Sequence, residues 1–415
     1  MKQAIEAIAA GKDAGQAAKE GILPESFREA FKLLEELPEQ PGSSANFDCD
    51  SSLNQLILYI SSNCNMACRY CFERGSADKG LRSLALSPEM ACKVVDLFFA
   101  RFPRIRFIKF FGGEPLLYPK VIEQVCAHAE TLYRSSCIAC MPEFIVVTNG
   151  TIMDERIADF LVRYDVHVVF SLDGPPPVND AARIYPNGAG SAERVIKNLR
   201  YLQKKTKGKQ PESINAAYSS IHERTGLTVS GLLKYISDDL GIRDSHIVPV
   251  DAGSAPDLQL SGTECFAEAL SERLHSDDDH SRFWILDALK KKITKKIRSS
   301  PLFCEAGVAK FAVAADGGVY PCQMFAGNAD FLMGRIDEPL FDNPRFLDAR
   351  KRLAQRDRFK TAPCSDCFAR RLCVGCIGAN LYRTGDAYRP DPFLCDLIRV
   401  CAEQVILKMV DSAGS

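Results

Sequence analysis

No apolar run in this 415-residue chain approaches the roughly 20 residues that a membrane-spanning helix needs, so no membrane span is expected. An excess of charge is also missing. Lys and Arg number 52 against 53 Asp and Glu, a formal net charge of −1, which gives no electrostatic case for nucleic acid or a membrane surface as an obligatory partner. The N-terminus, Met-Lys-Gln-Ala-Ile-Glu, sets acid beside base and lacks the apolar core of a secretion signal, so a cytoplasmic location is expected. With 46% hydrophobic and 25% charged residues, the composition is that of a soluble globular protein of two or three domains.

Against these deficits stands an excess of 17 cysteines. A reducing cytosol does not keep so many as disulfides. Seven are scattered (Cys49, Cys92, Cys126, Cys137, Cys140, Cys265 and Cys401) and read as small buried hydrophobes, including the C-x2-C pair 137/140, which stands alone in an expected loop. The other ten fall in two sets, at 64–71 and 304–395, and read as metal ligands.

Hydrophobic patterning places the first set at the end of a strand. Strands are expected at Leu56–Ile60, Ile105–Phe110, Phe144–Thr148, Val166–Leu172, Ile214–Tyr218 and His246–Val250. Helices are expected between them, at Pro88–Ala100, Lys120–Leu132, Asp154–Tyr164, Ala192–Lys204 and Val229–Leu240, the first with Ser87 as N-cap and Pro88 in its first turn. Alternating strands and amphipathic helices imply an α/β fold with a parallel sheet, closed as a partial (β/α)6 TIM-type barrel over residues 51–250. Before it, residues 1–50 read as a helical lead-in ending in a Pro-, Gly- and Ser-rich joint. After it come bridging helices at 251–300, with an acidic turn at Asp277–Asp279 and a basic helix at Lys290–Arg298, and then a cysteine-rich domain with a C-terminal helix at 301–415.

In such barrels the loops at the carboxyl ends of the strands build the active site. Four unusual loops occupy those positions: Cys64–Cys71, Phe111-Gly-Gly-Glu-Pro115, Thr148-Asn-Gly150 and Ser171-Leu-Asp-Gly-Pro175. Taken singly, the last three are ordinary turn sequences. Three thiolates at C-x3-C-x2-C spacing suit an iron–sulfur cluster with one open iron. A structural zinc site would recruit a fourth Cys or His, but no His lies in the loop and the next cysteine, Cys92, falls on an expected helix.

The spacing of Cys64, Cys68 and Cys71, with Tyr70 before the third, resembles the cluster loop of the radical S-adenosylmethionine (SAM) enzymes, and the order of the four loops matches that family. The resemblance implies a [4Fe-4S] cluster whose open iron chelates SAM and reduces it to a 5′-deoxyadenosyl radical. It further implies that Gly112, Gly113 and Glu114 bind the methionyl amine. Ser171 and Arg183 would contact the ribose or carboxylate, with Asn149 close to the sugar and Tyr70 near the adenine.

The second set is Cys304, Asp316-Gly-Gly-Val-Tyr-Pro-Cys322, Cys364-x2-Cys367-x5-Cys373-x2-Cys376 and Cys395. On spacing alone, two C-x2-C pairs also fit a zinc ribbon. Behind the first motif they resemble the SPASM extension of radical SAM enzymes that act on peptides and proteins, which carries two auxiliary iron–sulfur clusters, expected as [4Fe-4S]. The family usually has three residues between the last two cysteines of its core, where this chain has Val374 and Gly375. Carried over by position, Cys364, Cys367, Cys373 and Cys395 would hold the outer cluster, while Cys304, Cys322 and Cys376 would hold the inner one with an iron left open. In some thioether-forming relatives such an iron takes a substrate thiolate.

Anaerobic sulfatase maturases, the other neighbours of this pattern, carry a further inner-cluster cysteine a few residues past the position of Cys322 and a carboxylate immediately after it that serves as base. Here Gln323 and Asn328 stand in that neighbourhood, and a neutral amide is not a general base. The resemblance therefore implies a maturase of a ribosomally made precursor peptide, with Cys thioether formation as the leading chemistry. Carbon–carbon linkage, epimerisation, backbone excision and sulfatase-maturase-like formylglycine formation are the alternatives, a non-catalytic zinc scaffold is the reading from another class, and no catalytic base is assigned. A flavodoxin- or ferredoxin-type electron donor is expected. Because residues 1–50 are too short and helical for the leader-binding winged helix of many relatives, a separate leader-binding protein or recognition by the basic bridge is expected.

Overall fold

The structure, a computed structural model, describes residues 53–73, 84–250, 255–275, 282–294 and 300–413. The expected lead-in at 1–50, Cys49 and the acidic turn at 277–279 lie outside the described residues. Six parallel strands form the barrel: β1 (Gln55–Ser61), β2 (Phe107–Gly112), β3 (Glu143–Thr148), β4 (His167–Ser171), β5 (Ser213–Tyr218) and β6 (Asp244–Pro249). Between them run α1 (Pro88–Arg101), α2 (Pro119–Arg134), α3 (Glu155–Arg163), α4 (Ala192–Thr206) and α5 (Val229–Lys234). The N-terminus of α1 is built as expected, with the Ser87 hydroxyl accepting from Met90 N at 3.1 Å and Pro88 opening the helix. The helix expected to run to Leu240 is α-helical only to Lys234, and Tyr235–Asp239 continue it as a π turn.

The sheet does not stop at six strands. A short β7 (Arg282–Phe283) pairs with β6, and β8 (Lys310–Ala314) pairs in parallel with β1. Two further short strands, β9 (Gly318–Tyr320) and β10 (Gly334–Arg335), complete the order β10-β9-β8-β1-β2-β3-β4-β5-β6-β7. The cysteine-rich segment thus joins the barrel sheet directly. This placement explains why β1 is a continuous apolar run, since Leu56–Ile60 are at most 1% exposed with neighbours on both edges and packing on both faces.

The other barrel strands alternate. Ile108 and Phe110 face the helices, with Phe110 stacking on Phe144, and on β8 Phe311 packs against Phe98 of α1. By register the alternate residues share the opposite face and line a lumen. They are Ile57, Lys109, Ile145, Val169, Ser171, Asn215, His246, Lys310 and Ala312.

The helix expected around 265–274 is α6 (Glu264–His275). The one expected at 290–298 begins earlier, as α7 (Trp284–Thr294). Both pack on the C-terminal helix α10 (Pro392–Ala413), while α8 (Pro344–Ala354) and α9 (Ile377–Thr384) lie between β10 and that helix in the chain. The C-terminal segment therefore reaches both edges of the barrel, one through β8 and the other through α10. Among the described residues no helix is long and apolar enough to cross a membrane.

Candidate active site

The three-cysteine loop leaves β1 at Ser61 and is held first by backbone hydrogen bonds. Ala67 N donates to Ile184 O at 2.7 Å and Arg69 N to Ala182 O at 2.9 Å, while Gly113 N and Glu114 N donate to Ser61 O and Asn63 O at 2.8 and 2.9 Å. A glycine pair is required where β2 passes this loop. A Cβ on Gly112 would stand 2.2 Å from Ser61 O, and one on Gly113 2.3 Å from Asn63 O. The close approach that these glycines permit is to the backbone leading into Cys64.

Glu114 is 1% exposed and its carboxylate acts as a clamp. Oε1 accepts from Leu116 N at 2.9 Å and Thr148 Oγ1 at 2.7 Å, and Oε2 accepts from Asn149 N at 2.6 Å. Burial pushes its pKa up, against the pull of those donors. Asn149, so positioned, donates through Nδ2 to Asn65 Oδ1 at 2.9 Å and to Cys64 Sγ at 3.6 Å. The end of β3 is thereby tied to the first cysteine.

A third group joins the loop to β4. The Tyr70 hydroxyl donates to Asp173 Oδ2 and accepts from Arg183 Nη1 at 3.0 Å, Arg183 stands 4.0 Å from Asp173 Oδ1, and that oxygen accepts from Ala217 N at 3.0 Å. Burial raises the Tyr70 pKa well above its usual value, so the hydroxyl keeps its proton. Burial works against the charge on Arg183, but Tyr70, Cys68 and Asp173 outweigh it and the pKa lies well above the usual range. Arg183 Nε is buried with no hydrogen-bond partner among the described residues, a donor left for a ligand.

Asn179, fully buried, braces this corner by accepting from Asp173 N at 3.1 Å and donating to Ser191 Oγ at 3.1 Å. Asp180 Oδ1 accepts from Ser191 N and Ala192 N at 2.8 Å each, at the start of α4. A Cβ at Gly190 would lie 2.2 Å from the Asp180 side chain, which accounts for the glycine there. Ser171 ends β4 on the lumen face, opposite Asn215 of β5. Sequence reasoning missed Asp173 as the hub, because Asp-Gly-Pro reads as a turn until Tyr70 and Arg183 are seen beside it. It also missed buried Glu73, which accepts from Tyr59 just after Cys71.

Within the second set, Cys304, Cys322 and Cys376 lie close enough that each thiolate disfavours another. Burial first, then Cys376 and Cys304, push the Cys322 thiol up to about 12. Cys376 Sγ caps α9 by accepting from Ala379 N at 3.4 Å, and a Cβ on Gly378 would meet Met324 at 2.6 Å, so α9 starts hard against the segment that follows Cys322. At the other end of α9, the Tyr382 hydroxyl donates to Phe72 O at 3.2 Å and the two rings meet edge to face at 5.6 Å. One short helix thus links the inner cysteines to the residue after Cys71.

Cys364, Cys367, Cys373 and Cys395 line one cavity together with Arg358, Arg370 and Arg399. Arg358 donates to Cys373 O at 2.8 Å, and burial takes the Cys395 thiol up to about 12. Cys64 and Cys71 are likewise pushed up, to about 11 and about 12, mainly by burial. Isolated thiolates are disfavoured in all three places, as suits donors that ionise only on a metal. Among the described residues no three His, Cys, Asp or Glu side chains converge closely enough to chelate a single ion.

The two cysteine sets are joined to β1 at different levels. Cys64 follows the carboxyl end of β1, whereas Lys310, which lowers the Cys304 and Cys322 pKa values, pairs with Gln55 at its start. Seven strand residues separate those levels, about 20 Å.

A parallel barrel with this loop order defines a class, and residues 58–210 match the radical SAM superfamily. The chain thus carries a radical SAM domain over those residues, and that class uses SAM and a [4Fe-4S] cluster. Among its relatives, the radical SAM cyclopropyl synthase TigE of Paramaledivibacter caminithermalis is 24% identical, over 84% of this chain and 73% of the relative. A cysteine-type anaerobic sulfatase-maturating enzyme of Clostridium novyi is also 24% identical, over 78% of this chain and 88% of that one. The structure of anSMEcpe with bound AdoMet superposes with a TM-score of 0.70 at 22% identity, covering 87% of this chain and 95% of that one. Streptococcus suis SuiB bound to its precursor peptide SuiA gives 0.56 at 17% identity, covering 84% and 76%. The shared fold thus extends past the barrel into the cysteine-rich C-terminal segment.

Proposed function

We propose that this enzyme modifies a ribosomally made precursor peptide, which enters the lumen between the two cysteine centres and forms a new bond to carbon, a Cys thioether in the leading reading. The observation that supports this is that Cys64 follows the carboxyl end of β1, while Lys310, which bears on Cys304 and Cys322, pairs with the start of that same strand. In this reading Cys64, Cys68 and Cys71 hold the SAM cluster, Cys304, Cys322 and Cys376 the inner cluster, and Cys364, Cys367, Cys373 and Cys395 the outer one. The clusters supply one-electron chemistry that starts hydrogen abstraction through SAM and takes back the electron released when the bond closes. The protein supplies placement: Glu114 fixes Asn149 beside Cys64, Gly112 and Gly113 hold the loop in register, and Arg183 keeps Nε for SAM.

The outcome is read by mass spectrometry, as a product short of two hydrogens and blocked to thiol alkylation. The likeness to TigE, a cyclopropyl synthase by name, favours carbon–carbon bond formation as the second reading, with the same mass loss and the thiol still free. Formylglycine formation is argued against by Gln323, an amide beside Cys322. Cys304→Ala is expected to lose about four of roughly twelve irons and at least ~100-fold of peptide product while still cleaving SAM. Full turnover by that variant would end the inner-cluster assignment. An electron donor of flavodoxin or ferredoxin type and a separate leader-binding protein complete the proposal. Tight binding of a leader peptide to the enzyme alone would remove the second of these.

A further inference from the structure

The lumen carries two lysines. Lys109 on β2 and Lys310 on β8 share its face, and neither has a carboxylate within ion-pair distance among the described residues. His246, across on β6, has its ring against Trp284, centroids 4.7 Å apart. Burial, reinforced by Lys109, drops the His246 pKa to about 4, so that ring is neutral. The Lys109 ammonium lies 5.1 Å from the centroid of the Phe111 ring and also feels the Cys322 thiol, which favours its charge. Burial, with help from Lys310, lowers its pKa to about 8, leaving it mostly protonated at neutral pH.

A half-buried ammonium with no carboxylate beside it favours the arrival of an anion. Both lysines also bear on the inner cysteines, Lys310 on Cys304 and Cys322 and Lys109 on Cys322. Lys109 pairs in register with Ile57, four residues before Ser61, and so lies about 13 Å below the SAM-side rim, in the path of a peptide reaching in. Carboxylates of the barrel are engaged elsewhere: Glu73 with Tyr59, Glu114 with Thr148 and Asn149, Asp173 with Tyr70, Asp244 beside Arg282 and Glu143 with Arg106.

We propose that Lys109, supported by Lys310, is an anion site in the reaction chamber that binds the side-chain carboxylate of an aspartate or glutamate in the substrate peptide. This rests on the peptide-modifying reading, and the probes are chosen to separate the two. Ac-Ala-Glu-Ala-NH2 and Ac-Ala-Gln-Ala-NH2, and in parallel glutarate and glutaramide, are titrated into the anaerobically reconstituted enzyme by ligand-observed NMR. The acid is expected to bind about ten-fold tighter than the amide, a preference that weakens with salt, vanishes in Lys109→Gln and returns in part in Lys109→Arg. Iron content and circular dichroism establish that the variants are folded. A Lys109-dependent preference for glutarate, with neither peptide bound, would support the anion site and sink the peptide reading. Equal binding of acid and amide by the unaltered enzyme, or a preference that survives Lys109→Gln, would overturn the proposal, and the second result would assign the lysines to the inner cysteines alone.

Discussion

Gly113→Ala is expected to yield a folded protein that binds about four fewer irons and cleaves SAM at least ~100-fold more slowly. The new Cβ would sit 2.3 Å from Asn63 O and 2.5 Å from Ser62 O, both backbone atoms that cannot rotate away. Relief requires the 61–63 segment to move by about 1 Å, since ordinary contact begins near 3.4 Å. That segment is the stem of Cys64, and its hydrogen bonds from Gly113 N and Glu114 N would stretch with it. Overpacking of this kind costs about 1–3 kcal/mol, which a domain of this size survives, so the effect falls on the cluster loop. Iron and sulfide analysis with quantitation of 5′-deoxyadenosine decides it. Cleavage within a few-fold of the unaltered enzyme would mean that the loop yields more easily than its contacts indicate.

Asp173→Asn is expected to lower stability by about 3–5 kcal/mol and to raise the KM for SAM at least ten-fold. Asp173 and Arg183 are 2% and 8% exposed, so the change leaves an enclosed guanidinium without its carboxylate. The amide keeps one acceptor, which Ala217 N can retain, but Tyr70 then loses the acceptor for its hydroxyl proton. Calorimetry and SAM-dependence kinetics read the two effects. Unchanged stability would show that the Tyr70 hydroxyl and solvent suffice for Arg183. A changed melting temperature with an unaltered KM would make the hub structural only.

The barrel was legible because its strands and helices differ in period. The structure gives β1–β6 within about two residues of their expected bounds, with α1–α4 as close. The extension of the sheet by β8 was not legible. Lys310–Ala314 is a short apolar stretch that equally fits a buried turn, and only its register against Gln55–Tyr59 makes it a barrel strand. The same limit hid Asp173 and Lys109. An aspartate in a turn and a lysine in an alternating strand are ordinary until the chain brings Tyr70, Arg183 and Lys310 to them. The π turn at 235–239 left no mark in the hydrophobic pattern either.

By itself the sequence determined which residues could carry soft-metal chemistry, since C-x3-C-x2-C and the later cysteines are properties of spacing along one chain. It also determined that the loops bearing the unusual residues follow strands, because hydrophobic period is local. Only the tertiary structure decided that β8 extends the barrel sheet beside β1, that Tyr70 and Arg183 meet Asp173, and that Gly112 and Gly113 protect a loop some fifty residues away in sequence. Those are contacts between segments distant in the chain. They are set by strand register and by packing against both edges of the sheet, neither of which leaves a local signature.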